Sequence, residues 1–477
     1  MEREQKHFEF IDSTKSDKAT RRLARSHAMK GKNAGKTLHR HRQSRLDLRG
    51  QQTATARVPN RRSAQENENR RTLAVQDSLD LTYPALSDKL LSVSFPVETT
   101  PQGLGLISQF FDTVVHALYP PQICRSLEQT RLYWLQVLFM DKTAYHCSLA
   151  LMATLNAFFF GREAVPSKAI YHLGQAVSLV NQQLQTAEAL SDSNLAVVNF
   201  LVVQELLREA QPEAEVHLRG LQKMIQLRGG LSQLGEDSPL AIKICKSDLD
   251  YALHYGTSPC FYRDRMSDVA LALASEGLLM NRHLGDCRSR FDGIDPCLRQ
   301  ILLDVTNIAS LFNMDYKMDP HTFQEVIVSL GSRLVRFHPL SGPPLEGRLE
   351  SACHVGLITF VTTFFLQCGR RRFLKYGLVG QHLRQVIDRG LDKQDDDLML
   401  WILFIGGTSV LADRDHAWLM PKIQRTLRSL SIETWAGLHQ CLVLFPWVNS
   451  LHDEAAKALW DAAVGKGVGP CLHLDAD

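Results

Sequence analysis

Residues 211–230 read QPEAEVHLRGLQKMIQLRGG, and this run decides the fold class. Pro212 stands where the first turn of a helix tolerates a proline, because the amide it lacks would have no partner there. Leu218, Leu221, Met224 and Ile225 return every three or four residues and share one helical face, and Gly229-Gly230 closes the helix. His217, beside Arg219, reads as a packed or interfacial histidine rather than a metal ligand. The same spacing, interrupted by Pro and Gly, extends from about residue 83 to residue 464 with almost no period-two alternation. The chain is therefore expected to be all-α, a large multi-helix domain over residues 81–465.

Local signals place the helices. Asp141-Lys142 opens one running through Phe160 and closed by Gly161, Pro166-Ser167 opens another over 168–184, and Ser191-Asp192 caps a third over 195–208. Further helices are expected over 239–254, 296–313, 320–336, 347–368, 378–390, 398–411, 421–430, 432–445 and 452–463, with no internal repeat of fixed period. The longest apolar runs, Val355 to Cys368 and Leu398 to Ala412, span 14 and 15 residues. A membrane span needs about 20, so these read as core helices. Arg370, Arg371 and Arg372 after the first, and Asp395, Asp396 and Asp397 before the second, suit helix ends of the matching charge.

Of 477 residues, 44% are hydrophobic and 22% charged, enough to bury a core. The net charge of +3 conceals an asymmetry: residues 1–71 hold 19 Lys and Arg against 8 Asp and Glu, a net +11, which leaves −8 for residues 72–477. Residues 1–80 are poor in large apolar side chains and read as a mostly disordered basic arm, and residues 466–477 as a flexible tail. Within the arm, Ser16 or Asp17 can cap a short helix over 16–30, with Lys18, Arg22 and Arg25 on one face and Gly31 just past its end. The acidic residues Glu2, Glu4, Glu9, Asp12 and Asp17, and the lack of an apolar core among them, argue against a secretory or mitochondrial leader and predict a cytosolic or nuclear protein.

Chemistry-bearing patterns are few. The ten cysteines are scattered, without C-x2-C or C-x4-C spacing, and read as reduced thiols, mostly buried. There is no G-x-S-x-G elbow, Walker A loop, H-E-x-x-H pair or dinucleotide-binding glycine fingerprint, so no catalytic, cofactor-binding or metal-binding residue is assigned and the chain reads as a non-enzyme. The glycine run at 465–469 has no helix after it to form a phosphate site. Asp415-His416 and His452-Asp453 read as helix starts, since adjacent helical residues point about 100° apart and do not converge. Trp401, Trp418, Trp435, Trp447 and Trp460 fall within the last 80 residues and read as dense core, with a small-molecule or catalytic pocket among them as the alternative.

Several separated blocks resemble the fungal-specific transcription factor domain. They are Tyr145-His146 through Asn181 and Leu184, then Val198 and Glu205, then His217-Leu218-x-Gly220-Leu221-x-x-Met224-Ile225-x-Leu227-Arg228-Gly229-Gly230. Trp401 to Gly407, Asp413-Arg414 with Trp418, Trp435, Leu444-Phe445-Pro446-Trp447, His452-Asp453 and Leu459-Trp460 are similar to the end of the same domain. In that family a six-cysteine binuclear zinc cluster usually precedes the helical domain and reads DNA, whereas no cysteine here precedes Cys124. Phe10-Ile11 and Arg25-Ser26-His27-Ala28-Met29 instead resemble the start of a subgroup lacking the cluster, although Ala24 and Ala28 stand where that subgroup is expected to carry larger aliphatics.

The resemblance implies a nuclear regulator of transcription, acting on a pathway-specific gene set such as secondary metabolism or nutrient use. On that reading the helical domain binds protein partners, an effector or a second copy of itself, and the basic arm engages the nuclear import machinery and DNA. Lys18, Arg21, Arg22, Arg25, Lys30 and Lys32 are the candidate phosphate contacts, and His27 or Arg25 the candidates to reach a base edge. The alternatives are an arm that only localises the protein, and a co-regulator or scaffold recruited by another transcription factor. No membrane partner is expected.

Overall fold

Thr100 turns its hydroxyl onto the Gly103 amide at 3.1 Å and so starts the first helix, α1 (Pro101–Gln109). A π-turn at Phe110–Val114 carries it into α2 (Val115–Leu118) and buries Phe110, Phe111 and Val114. The structure is a computed structural model and describes residues 94–160, 167–278, 291–364, 367–368, 371–372, 374–411 and 415–465. The chain divides into two units, residues 1–68 and 69–477, and every described residue belongs to the second. The arm, including the expected helix over 16–30, and the tail from residue 466 lie outside the described residues.

Helices α3 (Glu128–Met140), α4 (Lys142–Phe159), α5 (Ser167–Gln183), α6 (Asp192–Leu207) and α7 (Gln211–Leu227) pack around α4 and α6. Those two are buried on nearly every face, as helices apolar all round must be. Asp141 ties three of these helices together. Its carboxylate caps α4 through the Ala144 amide at 2.8 Å, accepts from Ser193 Oγ at 2.6 Å in the first turn of α6, and accepts from Gln183 Nε2 at 3.5 Å where α5 ends. On α7 the stripe read from the sequence faces inward, with Leu218, Leu221, Met224 and Ile225 buried. Gly229 and Gly230 take φ of 102° and 106°, and the Gly230 amide returns to the Ile225 carbonyl at 2.9 Å.

Three later helices begin with a proline behind a capping side chain: α8 (Pro239–Tyr255) behind Ser238, α10 (Pro296–Asn313) behind Asp295 and α11 (Pro320–Phe337) behind Asp319. Between α8 and α10 lies α9 (Met266–Ser275). Helix α8 packs on α6, on α11 and on α13 (Gly377–Arg389), joining the first group of helices to the second. The loop between α8 and α9 is pinned by Arg263, whose guanidinium forms a buried bidentate pair with Glu325 of α11.

The second group holds α12 (Arg348–Thr362), α14 (Asp396–Gly407), α15 (His416–Ser429), α16 (Trp435–Leu442) and α17 (Asn449–Ala463). Its centre is α14, where Leu398 to Gly406 are all buried and Asp396 and Asp397 occupy the first turn, as charge complementarity to the helix dipole requires. Trp401 stacks on Phe445 with centroids 5.5 Å apart and donates its indole N–H to the Pro446 carbonyl at 2.9 Å. Its ring lies so close to Gly356 of α12 that a Cβ there would collide with it.

The all-α expectation holds, with local differences. The helix expected over 347–368 stops at Thr362, where the Thr362 and Thr363 hydroxyls bond back to the Thr359 and Phe360 carbonyls at 2.7 and 2.6 Å. Beyond it, Gln367–Cys368 (β1) pairs antiparallel with Arg371–Arg372 (β2), so Arg371 and Arg372 do not close a helix. Helix α14 ends at Gly407 rather than near 411, and Thr408 Oγ1 bonds to the Phe404 carbonyl at 2.8 Å. Helix α15 starts five residues before Pro421 and keeps that proline inside, with Leu419 and Ile423 buried on either side. Helices α1, α2, α3 and α9 had no counterpart in the sequence reading; in α3 exposed and apolar positions are interleaved, which blurs the helical period.

Candidate functional site

The seven residues expected to contact DNA or import factors, Lys18, Arg21, Arg22, Arg25, His27, Lys30 and Lys32, all fall outside the described residues. The helical domain has sites of its own. Two arise where helices leave polar side chains beside a cavity.

The first is a cavity of about 710 Å³ between the loop after α11 and helices α12 and α13, bordered by His338, His354 and His382. The His338 and His354 rings meet edge to face, centroids 5.6 Å apart. His354 donates Nε2–H to the Leu334 carbonyl at 3.0 Å, and burial holds it neutral down to about pH 4. His382 bonds to the backbone of Leu340, and burial lowers its pKa as well. Arg389, on the rim, donates to the Leu345 and Glu346 carbonyls at 3.1 and 3.3 Å. Imidazoles engaged with backbone carbonyls are positioned as neutral donors. Among the described residues no group of three or more His, Cys, Asp or Glu is placed to hold a metal.

The second is built around Lys243 in the first half of α8. Its ammonium lies 5.0 Å from the Tyr133 ring centroid, 5.6 Å from that of Trp134 and 5.9 Å from that of Tyr119, and it meets Tyr119 Oη at 3.2 Å. All three distances fall within cation–π range. Among the described residues Lys243 has no carboxylate partner. Asp250, which borders the adjoining cavity, spends one oxygen on Lys246 at 2.8 Å and the other on the Tyr376 hydroxyl at 3.0 Å. Burial, with the charge of Lys246, brings the Lys243 pKa down from 10.5 to about 7. Among the described residues the buried Tyr133 hydroxyl and Trp134 indole N–H have no hydrogen-bond partner.

Other residues singled out from the sequence serve the fold. His217 is half-buried on α7, with a pKa lowered by burial. Asp415 stands at the start of α15 but gives its carboxylate to Arg384 instead of capping the helix. His452 is buried and bridges two helices: its Nδ1 accepts the Val448 amide at 3.0 Å where α17 begins, and its Nε2 meets Thr363 Oγ1 at 3.0 Å beside α12. Asp453 accepts the Trp447 indole N–H at 2.8 Å. Trp401, Trp447 and Trp460 are buried as expected, whereas Trp418 and Trp435 are only partly buried, and neither site described above is lined by any of the five. Both sites escaped the sequence reading because their members come from helices far apart in the chain.

No helix of the described residues is long and apolar enough to cross a membrane. In comparison with known proteins, a family model described as "Fungal specific transcription factor domain" matches residues 106–436. No curated protein and no solved structure matches the chain.

Proposed function

The chain belongs to the fungal-specific transcription factor domain family and so takes the role of a transcription regulator, and from that premise we propose that it acts in the nucleus on a pathway-specific gene set. In this reading the helical domain receives partners or effectors, and the basic arm of residues 1–71 drives nuclear entry and contacts DNA. The observation that carries the DNA contact is the charge division, +11 in residues 1–71 against −8 in the remainder. The family is one of transcription factor domains and not of enzymes.

Phosphate contact through Lys18, Arg21, Arg22, Arg25, Lys30 and Lys32 has a quantitative signature. Each neutralised phosphate releases counterions, so about six contacts weaken duplex binding roughly 10³-fold between 50 and 200 mM salt. Titration of the full chain onto a fluorescent duplex at both salt concentrations measures this. An affinity that does not change with salt rules out phosphate contact by the arm. In a second reading a partner supplies sequence specificity and this chain is a co-regulator, whose promoter occupancy would survive removal of residues 1–71.

A further inference from the structure

The surroundings of Lys243 are those of a cation that lacks its counter-ion. Its ammonium is caged by Tyr119, Tyr133 and Trp134, and among the described residues no carboxylate reaches it. A further donor of the cage, the Trp134 indole N–H, is buried without an acceptor among the described residues, and Trp134 as a whole is only 6% exposed. A polar group buried in this way is costly, so a buried N–H beside a cation without a carboxylate indicates an acceptor that the folded chain does not itself supply.

Space for that acceptor adjoins the cage on both sides. Lys243 borders a cavity of about 70 Å³ next to Tyr133 and a second of about 90 Å³ next to Trp134. At the 10–15 Å³ that a water centre needs, the larger holds roughly six to nine non-hydrogen atoms. Its apolar wall includes Trp134, Leu155, Phe200, Ile327 and Phe364, with Trp134 and Phe200 stacked at 5.0 Å. Lys246 and Asp250 also border this cavity but pair with each other, so the remaining cation, Lys243, with the neutral Trp134 N–H matches a single negative charge and not two.

We infer that the larger cavity is a binding site for a small monocarboxylate with a compact apolar body, its carboxylate accepting from Lys243 and Trp134 and its body lying against Phe200 and Phe364. The inference is independent of DNA contact by the arm, because ligand binding is measured without DNA.

The test uses the full chain with benzoate and hexanoate as probes and benzamide as the neutral counterpart of benzoate, read by thermal unfolding and titration calorimetry. The site predicts that at least one carboxylate binds and raises the melting temperature, and that benzamide binds at least tenfold more weakly than benzoate. Lys243→Met should lose at least tenfold in carboxylate affinity. Trp134→Phe, which removes the indole N–H and keeps an aromatic ring, should lose severalfold and serves as the decisive variant if Lys243→Met does not fold. Failure of both carboxylates to bind at millimolar concentration, equal binding of benzamide and benzoate, or undiminished affinity in Trp134→Phe would each overturn it.

Discussion

Lys243 makes the fold less stable than it could be. The unfolded chain holds a proton on this amine up to pH 10.5, whereas the folded chain gives it up near pH 7. The folded state therefore binds fewer protons across that window, so stability rises with pH from about 7 to 10.5 and the full cost is felt below 7. Lys243→Met, which keeps the stem and removes the charge, is expected to stabilise the protein at pH 7 by on the order of 1–3 kcal/mol. Urea unfolding of both proteins at pH 7 and pH 10 measures this, and the difference between them should shrink at the higher pH. None of this was legible in the sequence. Lys243 itself fell on an expected helix, but Tyr119, Tyr133 and Trp134 come from more than 100 residues earlier, in and beside helices whose apolar residues show no clear stripe. Periodicity reports which face of a helix is buried; it does not report which distant side chains meet there.

At the scale of helices, two joints around α4 carry testable weight. Asp141→Ala removes the α4 cap together with the acceptor for Ser193 and Gln183, and is expected to cost about 1–3 kcal/mol in chemical denaturation. Asn in its place should recover part of the loss through the cap alone. The second joint is His146 of α4 against His172 of α5, Nδ1 to Nδ1 at 2.8 Å, an arrangement in which one ring must donate and the other accept. Burial lowers both pKa values, and proximity to His146 and Lys168 helps bring His172 to about 4. An unfolded histidine takes up its proton near 6.5 and the folded one resists until about 4, so stability falls as pH drops through that interval. His172→Gln should flatten the fall in unfolding free energy between pH 7 and 5, by on the order of 1–2 kcal/mol once solvent screening is allowed for, as read by urea unfolding at the two pH values.

Where Gly, Pro or a capping side chain punctuates the chain, helix bounds were legible. Asp141 and Ser191 were read as helix openers, and the helices after them, like those after Ser238, Asp295 and Asp319, begin within three residues of the expected positions and end within one. The end of α12 was hidden in an unbroken apolar run, where the stop comes from threonine hydroxyls recapturing carbonyls rather than from Gly or Pro.

At the scale of the whole molecule, fold class followed from one property, apolar spacing near 3.6 sustained over some 380 residues, and the structure bears it out. The charge asymmetry was equally plain in the sequence. What charge alone does not encode is whether the arm touches DNA, because import receptors and duplex phosphates both attract the same cations. Chromatin occupancy separates the two: the intact protein is compared with a version that lacks residues 1–71 and carries a foreign nuclear-import signal. The account predicts that the intact protein occupies defined promoters and that the truncated one, although nuclear, does not. Equal occupancy by the two would contradict it and make the helical domain, tethered by a partner, the part that finds the promoter.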